Sequence, residues 1–146
     1  MEYQLAQVNV ARMNADLDDP IMSGFVQRLD EINALAEASK GFVWRFKTEA
    51  GDATYLRPFE DQRILFNMSV WETLEDLKEY VYASKHVELL KSKANWFSKI
   101  NEPHLALWWV QKDHIPSVEE ALEKLRLIKA RGPSADAFAF AKPYPR

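Results

Sequence analysis

Apolar and polar side chains alternate from Tyr3 to Arg12, with Ala6, Val8 and Val10 on one side and Leu5, Gln7, Asn9 and Ala11 on the other. A period of two predicts a strand. Asp18-Asp19-Pro20 follows, an acid to cap and a proline whose missing N–H costs nothing in a first helical turn. Met22, Phe25, Val26, Leu29, Ile32, Leu35 and Ala36 then recur at helical spacing, and Gly41 supplies a stop. Phe42 to Thr48 predicts a second strand, with Phe42, Trp44 and Phe46 on one face and Val43, Arg45 and Lys47 on the other. Residues 49–62 carry Gly, Pro and acids without a period, which predicts a long loop, either functional or a decorated turn. Arg63 to Trp71 alternates most cleanly: Ile64, Phe66, Met68 and Val70 against Leu65, Asn67, Ser69 and Trp71.

Thr73 caps a short helix carrying Leu74, Leu77, Tyr80 and Val81, with Glu75 and Asp76 in its first turn. Val87, Leu90, Ala94 and Phe97 predict a second helical stretch from Ser84 to about Lys99. His104 to Gln111 is an apolar strand. Pro116-Ser117 opens a last helix, in which Ser117 and Glu120 form a capping box and which Gly132-Pro133 ends. The tail, residues 134–146, has room for an edge strand at Ala137 to Ala141 before loose final residues.

The order strand, helix, strand, strand, helices, strand is the βαββαβ of a ferredoxin-like α+β fold: an antiparallel sheet with helices on one face, here with an extra C-terminal helix. The other face would carry Leu5, Asn9, Trp44, Leu65, Trp71 and Trp108. A sheet apolar on both sides needs a second cover, and a symmetric homodimer is the economical one.

With 146 residues, the chain reads as one domain, 1–146. Nineteen basic and 22 acidic side chains leave a net charge of −3, with no basic stripe, so nucleic acid is not an expected partner. The absence of cysteine excludes disulfides, zinc–thiolate sites and cysteine nucleophiles. The opening residues lack the apolar stretch of a signal peptide, and no run approaches the ~20 apolar residues of a membrane span. The expected setting is the cytoplasm, away from membranes.

Three stretches resemble a bacterial family of uncharacterised proteins, a domain of unknown function of the DUF 3291 type: LAQVNVARMNADLDDPIMSGFVQRLDEINALAEASKGFVWRF, ILFNMSVWETLEDLKEYVYASKHVELL, and WFSKINEPHLALWWV with PSVEEALEKL after it. The resemblance runs from about Leu5 to Phe140. More distantly the chain is similar to the dimeric α+β barrel superfamily, which includes antibiotic-biosynthesis monooxygenases and haem-degrading monooxygenases. The carriers are a strand ending in Val70-Trp71-Glu72, a short helix, and Ala83-Ser84-Lys85-His86. The resemblance implies a dimer packed sheet to sheet, with a pocket between each sheet and its own helices. For function it is an analogy of fold.

Asn67 and Trp71 stand four apart and share a strand face. An Asn amide can hold a substrate oxygen as charge develops, and an indole N–H can add a hydrogen bond. Some cofactor-independent monooxygenases of the superfamily use such a pair. The structural alternative makes Asn67 a satisfied amide and Trp71 interface core. Asn9 has the same two readings. His86, at a helix start, is the acid–base candidate, since an imidazole titrates near neutrality. His104 heads a strand, and His114 lies in a loop where solvent exposure is expected. The histidines lack metal-ligand spacing, and four scattered glycines make no phosphate loop. In the haem-degrading comparison Asn9 matches, but Tyr80 stands at the Trp position and Leu90 at the His position, with His86 one turn earlier. Haem is therefore disfavoured and no cofactor is expected. Trp44, Tyr80, Trp96, His104 and Trp108 join Asn9 as candidate ligand contacts for a flat apolar molecule.

The expected function is a small-molecule-binding protein, with a cofactor-independent monooxygenase-like enzyme acting on an apolar or aromatic substrate as its catalytic form. A non-catalytic ligand-binding or assembly module is the alternative, and a haem protein the third reading.

Overall fold

The computed structural model describes residues 2–15, 19–46, 64–82, 96–98 and 104–145. In chain order the elements are β1 (Tyr3–Met13), a 3-10 turn (Pro20–Met22), α1 (Ser23–Ala38), β2 (Phe42–Arg45), β3 (Ile64–Trp71), α2 (Leu74–Tyr82), β4 (Phe97–Ser98), β5 (Leu105–Gln111) and α3 (Val118–Arg131). The alternation in β1 becomes the middle of the sheet. One edge of β1 pairs with β3, from Leu5 opposite Trp71 to Arg12 opposite Ile64. The other edge pairs with β5 from Tyr3 to Asn9 and with β4 at Arg12 and Met13. β2 adds outside β3, and every pairing is antiparallel. This is the ferredoxin-like order expected from the sequence. Phe97 and Ser98 are strand rather than the end of a helix, because they extend the ladder beyond β5. The rest of that predicted helix, from Ser84 to Asn95, lies outside the described residues, as does the 49–62 loop.

Helices cover both faces, not one. Leu5, Trp71 and Leu107 pack with Ala36 of α1 and Leu77 of α2. Met13 and Leu65 extend the same face toward Met22 and Phe25. On the reverse face Ala6, Val8, Phe66, Met68, Val70 and Trp108 pack with Ala121 and Ile128 of α3. The face expected to seek a partner is the one that α1 and α2 cover. On the reverse face the chain's own last helix packs over β5 and β1, and Val43, Trp44 and Phe46 lie half-buried on the β2 side.

Two aromatic assignments change with this. Trp44 was expected beside Trp71, but a bulge between Phe42 and Trp44 adds one residue to β2. Phe42 stays opposite Trp71, and Trp44 moves opposite Val70, onto the α3 face. Trp108 sits opposite Ala6 and belongs to the α3 face as well.

The tail is tied down. Leu107 and Phe138 exchange backbone hydrogen bonds of 2.8 and 2.9 Å, an isolated antiparallel bridge in place of the edge strand expected over Ala137 to Ala141. Ala137 then joins the α3 face and Phe138 the other. Trp109 donates its indole N–H to the Tyr144 carbonyl at 2.9 Å, which holds the last residues to the sheet.

Asp19 caps the turn before α1 through Ile21 N–H. Ser117 accepts Glu120 N–H, as a capping residue should. Its expected reciprocal bond is replaced: the Glu120 carboxylate instead takes the Trp108 indole N–H and the His114 ring, each at 2.8 Å. This clips α3 to β5 and gives the exposed His114 a partner.

Burial works to raise the Glu120 pKa, but hydrogen bonds from His114 and Trp108, with the charges of His114 and Lys124, hold it below the usual carboxylate range. A depressed folded pKa stabilises the fold above the unfolded pKa and is lost as pH falls through the folded one. Glu120→Gln is therefore expected to lower the melting temperature at neutral pH. The gap to the parent protein should close below about pH 4, the ordinary carboxylate range. Melts across a pH series check this.

Gly41 ends the link from α1 into β2 at φ +81°, and a Cβ there would run into the buried Asp76 carboxylate. Its carbonyl also accepts Glu72 N–H at 2.7 Å, at the end of β3. Gly41→Ala should cost about 1–3 kcal/mol, from left-handed backbone strain before any clash is added. A denaturant titration reads the loss.

Candidate functional site

The face under α1 and α2 is apolar at its ends and polar in its middle. Along β1 it shows Leu5, Gln7, Asn9 and Met13, and along β3 Leu65, Asn67, Ser69 and Trp71. Register sets Leu5 opposite Trp71, Gln7 opposite Ser69 and Asn9 opposite Asn67. Opposed residues share a face, so the polar four form one patch. At one end lie Leu77 and Tyr80 with Trp71, and at the other Phe25 and Ile32 with Leu65.

The patch is wired. Gln7 is only 5% exposed. Left unpaired, a buried amide costs roughly 1–3 kcal/mol. Its Nε2 donates to Asn67 Oδ1 and to Ser69 Oγ, both at 2.8 Å. Asn9 Nδ2 donates to Gln7 Oε1 at a long 3.4 Å. Trp71 Nε1 donates to Ser69 Oγ at 2.9 Å. Among the described side chains of β3, Asn67 alone is exposed, so the network opens at that amide.

Trp71 is buried and committed. Its N–H goes to Ser69, its ring stacks on Tyr80 at 5.1 Å and meets Phe42 edge-on at 5.5 Å. It anchors the network rather than reaching into space. Burial pushes the Tyr80 phenol up to about 12, against a lowering pull from the Arg45 charge, so the phenol stays neutral. Its hydroxyl reaches the Ile32 carbonyl at 3.4 Å. Arg45 stands opposite Ser69 on the outer edge of β3, and its Nε lies 3.5 Å from Glu37 of α1.

The structure thus brings together four of the residues singled out from sequence: Asn9, Asn67, Trp71 and Tyr80. Trp96 lies under the same helices but at the far apolar end, 5.8 Å from the Phe25 ring and against Gly24. Trp44 and Trp108 are on the reverse face, and Trp108 is spent on Glu120. His104 is exposed just before β5, where its carbonyl accepts Val10 N–H at 2.9 Å. His86 and Leu90 lie outside the described residues. Among the described residues no cluster of His, Cys, Asp or Glu could hold a metal, and no helix is long and apolar enough to cross a membrane. A separate open cleft of about 330 Å³ lies between Thr73, Leu74, Glu75, Trp109 and the tail prolines, away from the polar patch.

Sequence reasoning missed Gln7, Ser69 and Arg45. Gln7 and Ser69 are polar steps on otherwise apolar strand faces, and that interruption is the signal that could have found them. Arg45 had none, because the bulge sets its face.

Two solved structures place the fold in context. The structure of SnoaB, a cofactor-independent oxygenase from Streptomyces nogalater, is similar with a TM-score of 0.53 at 12% identity, covering 78% of this chain and 98% of that one. A protein of unknown function, NE2512 from Nitrosomonas europaea, has a TM-score of 0.51 at 13% identity, covering 79% and 96%. At such identities the likeness is one of fold. A comparison with curated proteins gave no match. The family model described as Domain of unknown function (DUF3291) matches residues 4–146, nearly the whole chain, and the chain belongs to that family.

Proposed function

We propose that this protein binds a small, flat, aromatic or apolar molecule over Asn67, and acts on it as a cofactor-independent, monooxygenase-like enzyme. The observation that carries the reading is an exposed Asn67 amide, held by a buried network, in the middle of a face whose two ends are apolar. Aromatic walls suit a flat ring system, and a fixed amide suits one oxygen on it. The fold likeness to a cofactor-independent oxygenase supports the class of chemistry.

In such a reaction the substrate itself reduces O2. A base removes a proton from an acidic CH2 group, and the carbanion forms a C–O bond to O2. Protonation gives a hydroperoxide, and loss of water leaves C=O. Substrate CH2 and O2 are thereby converted to C=O and H2O. The role of the Asn67 Nδ2–H groups is to steady the substrate oxygen onto which charge spreads. Trp71 acts through Ser69 and Gln7 as a positioning residue, and His86 is the proposed proton acceptor.

A second reading is favoured by the full commitment of Trp71: a ligand-binding module without turnover. One experiment separates them. Purified protein is titrated with a panel of fused-ring phenols that also carry an acidic ring CH2 beside a carbonyl, and oxygen uptake is followed with an electrode. Binding with uptake supports the enzyme, binding without uptake the module, and no binding overturns both. Asn67→Ala should weaken binding about tenfold, the loss of one good hydrogen bond to a charged oxygen. Its melting temperature should also fall by several degrees, because the buried Gln7 Nε2 loses one of its two acceptors.

A further inference from the structure

At Ser69 and Asn67 the donors and acceptors of the polar patch do not balance, and the imbalance has a direction; among the described residues the Asn9 side-chain carbonyl is the acceptor that remains on the patch. Trp71 can only donate, and it donates to Ser69 Oγ. Gln7 Nε2 supplies a second N–H to the same oxygen. A serine hydroxyl has two lone pairs and one proton. Both lone pairs are used, and the proton has no acceptor among the described residues, although Ser69 is only 8% exposed. Asn67 is polarised likewise. Its Oδ1 accepts from Gln7, which leaves both Nδ2 hydrogens facing away from Gln7 on an exposed side chain. One amide therefore turns two neighbours into outward donors. Both target oxygens lie 2.8 Å from the same nitrogen, so the donors serve one small region. Arg45, opposite Ser69 on the same face, adds positive charge nearby.

We propose that Gln7 is a positioning residue that sets the polarity of this patch, so that Asn67 Nδ2–H and Ser69 Oγ–H together receive an anionic ligand oxygen, a phenolate, enolate or carboxylate. This rests on the aromatic-ligand reading above and narrows it. With the Gln7 amide reversed, Ser69 and Asn67 would donate to it, and the patch would show acceptors outward. The opposite ligand charge would then be preferred.

The test uses three probes with one ring system: 2-naphthoate, neutral 2-naphthalenemethanol and 2-naphthylmethylammonium. Calorimetry of the full chain should show naphthoate bound at least tenfold tighter than the other two. Gln7→Met keeps the length and burial of the side chain but donates nothing. It should bring naphthoate to within threefold of the alcohol, while the alcohol binds as before. Ser69→Ala removes one outward donor and serves if Gln7→Met does not fold. It should cost naphthoate several-fold and leave the alcohol unchanged. Side-chain amide NMR gives a readout that packing alone would not move: naphthoate should shift the Asn67 Nδ2 hydrogens, with those of Gln7 protected from exchange before and after.

A tenfold naphthoate preference that survives in Gln7→Met and Ser69→Ala would overturn the proposal and assign the charge reading to Arg45. Equal binding of all three probes, or preference for the ammonium, would overturn it while leaving the aromatic site standing. Failure of every probe to bind would remove the site itself and the proposal with it.

Discussion

The central strand β1 is hydrogen-bonded along both edges and buried on both faces, and this one constraint organises the molecule. Leu5, Ala6, Gln7 and Val8 are consecutive and all buried. Consecutive strand residues point to opposite faces, so neither face can meet water. α1 and α2 cover one, and α3 covers the other. Without α3 the face of Ala6, Val8, Phe66 and Met68 would be a broad apolar surface of the kind that draws in a partner. The clip through Glu120, His114 and Trp108 therefore matters beyond its own energy, because it fixes the helix that closes the second layer.

Period-two alternation made β1, β3 and β5 legible, and with them the antiparallel order. It also put Asn67 and Trp71 on one face correctly. It failed at Trp44. Alternation assumes one residue per step, and the bulge between Phe42 and Trp44 spends two residues against one. Nothing in FVWRF announces that extra residue. The layer assignment failed for a related reason. Each strand shows two faces by itself, but which face the helices take depends on how the helices pack. The apolar stripe of α3 was visible in the sequence, while the sheet face it would cover was not.

The hydrogen-bond network was illegible for a third reason. Gln7 meets Ser69 and Asn67 only through the register of two strands sixty residues apart in sequence. A single strand shows that a glutamine interrupts an apolar run, and no more. Even the resemblance to monooxygenases drew attention to the pair Asn67 and Trp71, in which the indole proves to be tied down. The residue between them, Ser69, is the one that couples them.

A network that exists only to fill a core closes on itself, with donors and acceptors matched, because each unmatched buried group costs stability. This one begins at an indole that can only donate and ends at an exposed amide. Trp71 supplies one donor to Ser69, and Gln7 donates to Ser69 and Asn67 through both hydrogens of Nε2. The Gln7 amide thereby leaves its two neighbours with N–H and O–H groups to spare. Packing explains why Trp71 and Tyr80 stack, and why Gln7 must be paired. It does not explain why Ser69 and Asn67, both held by the one Gln7 amide, keep donors to spare beside an exposed side chain. A ligand oxygen that accepts from both does.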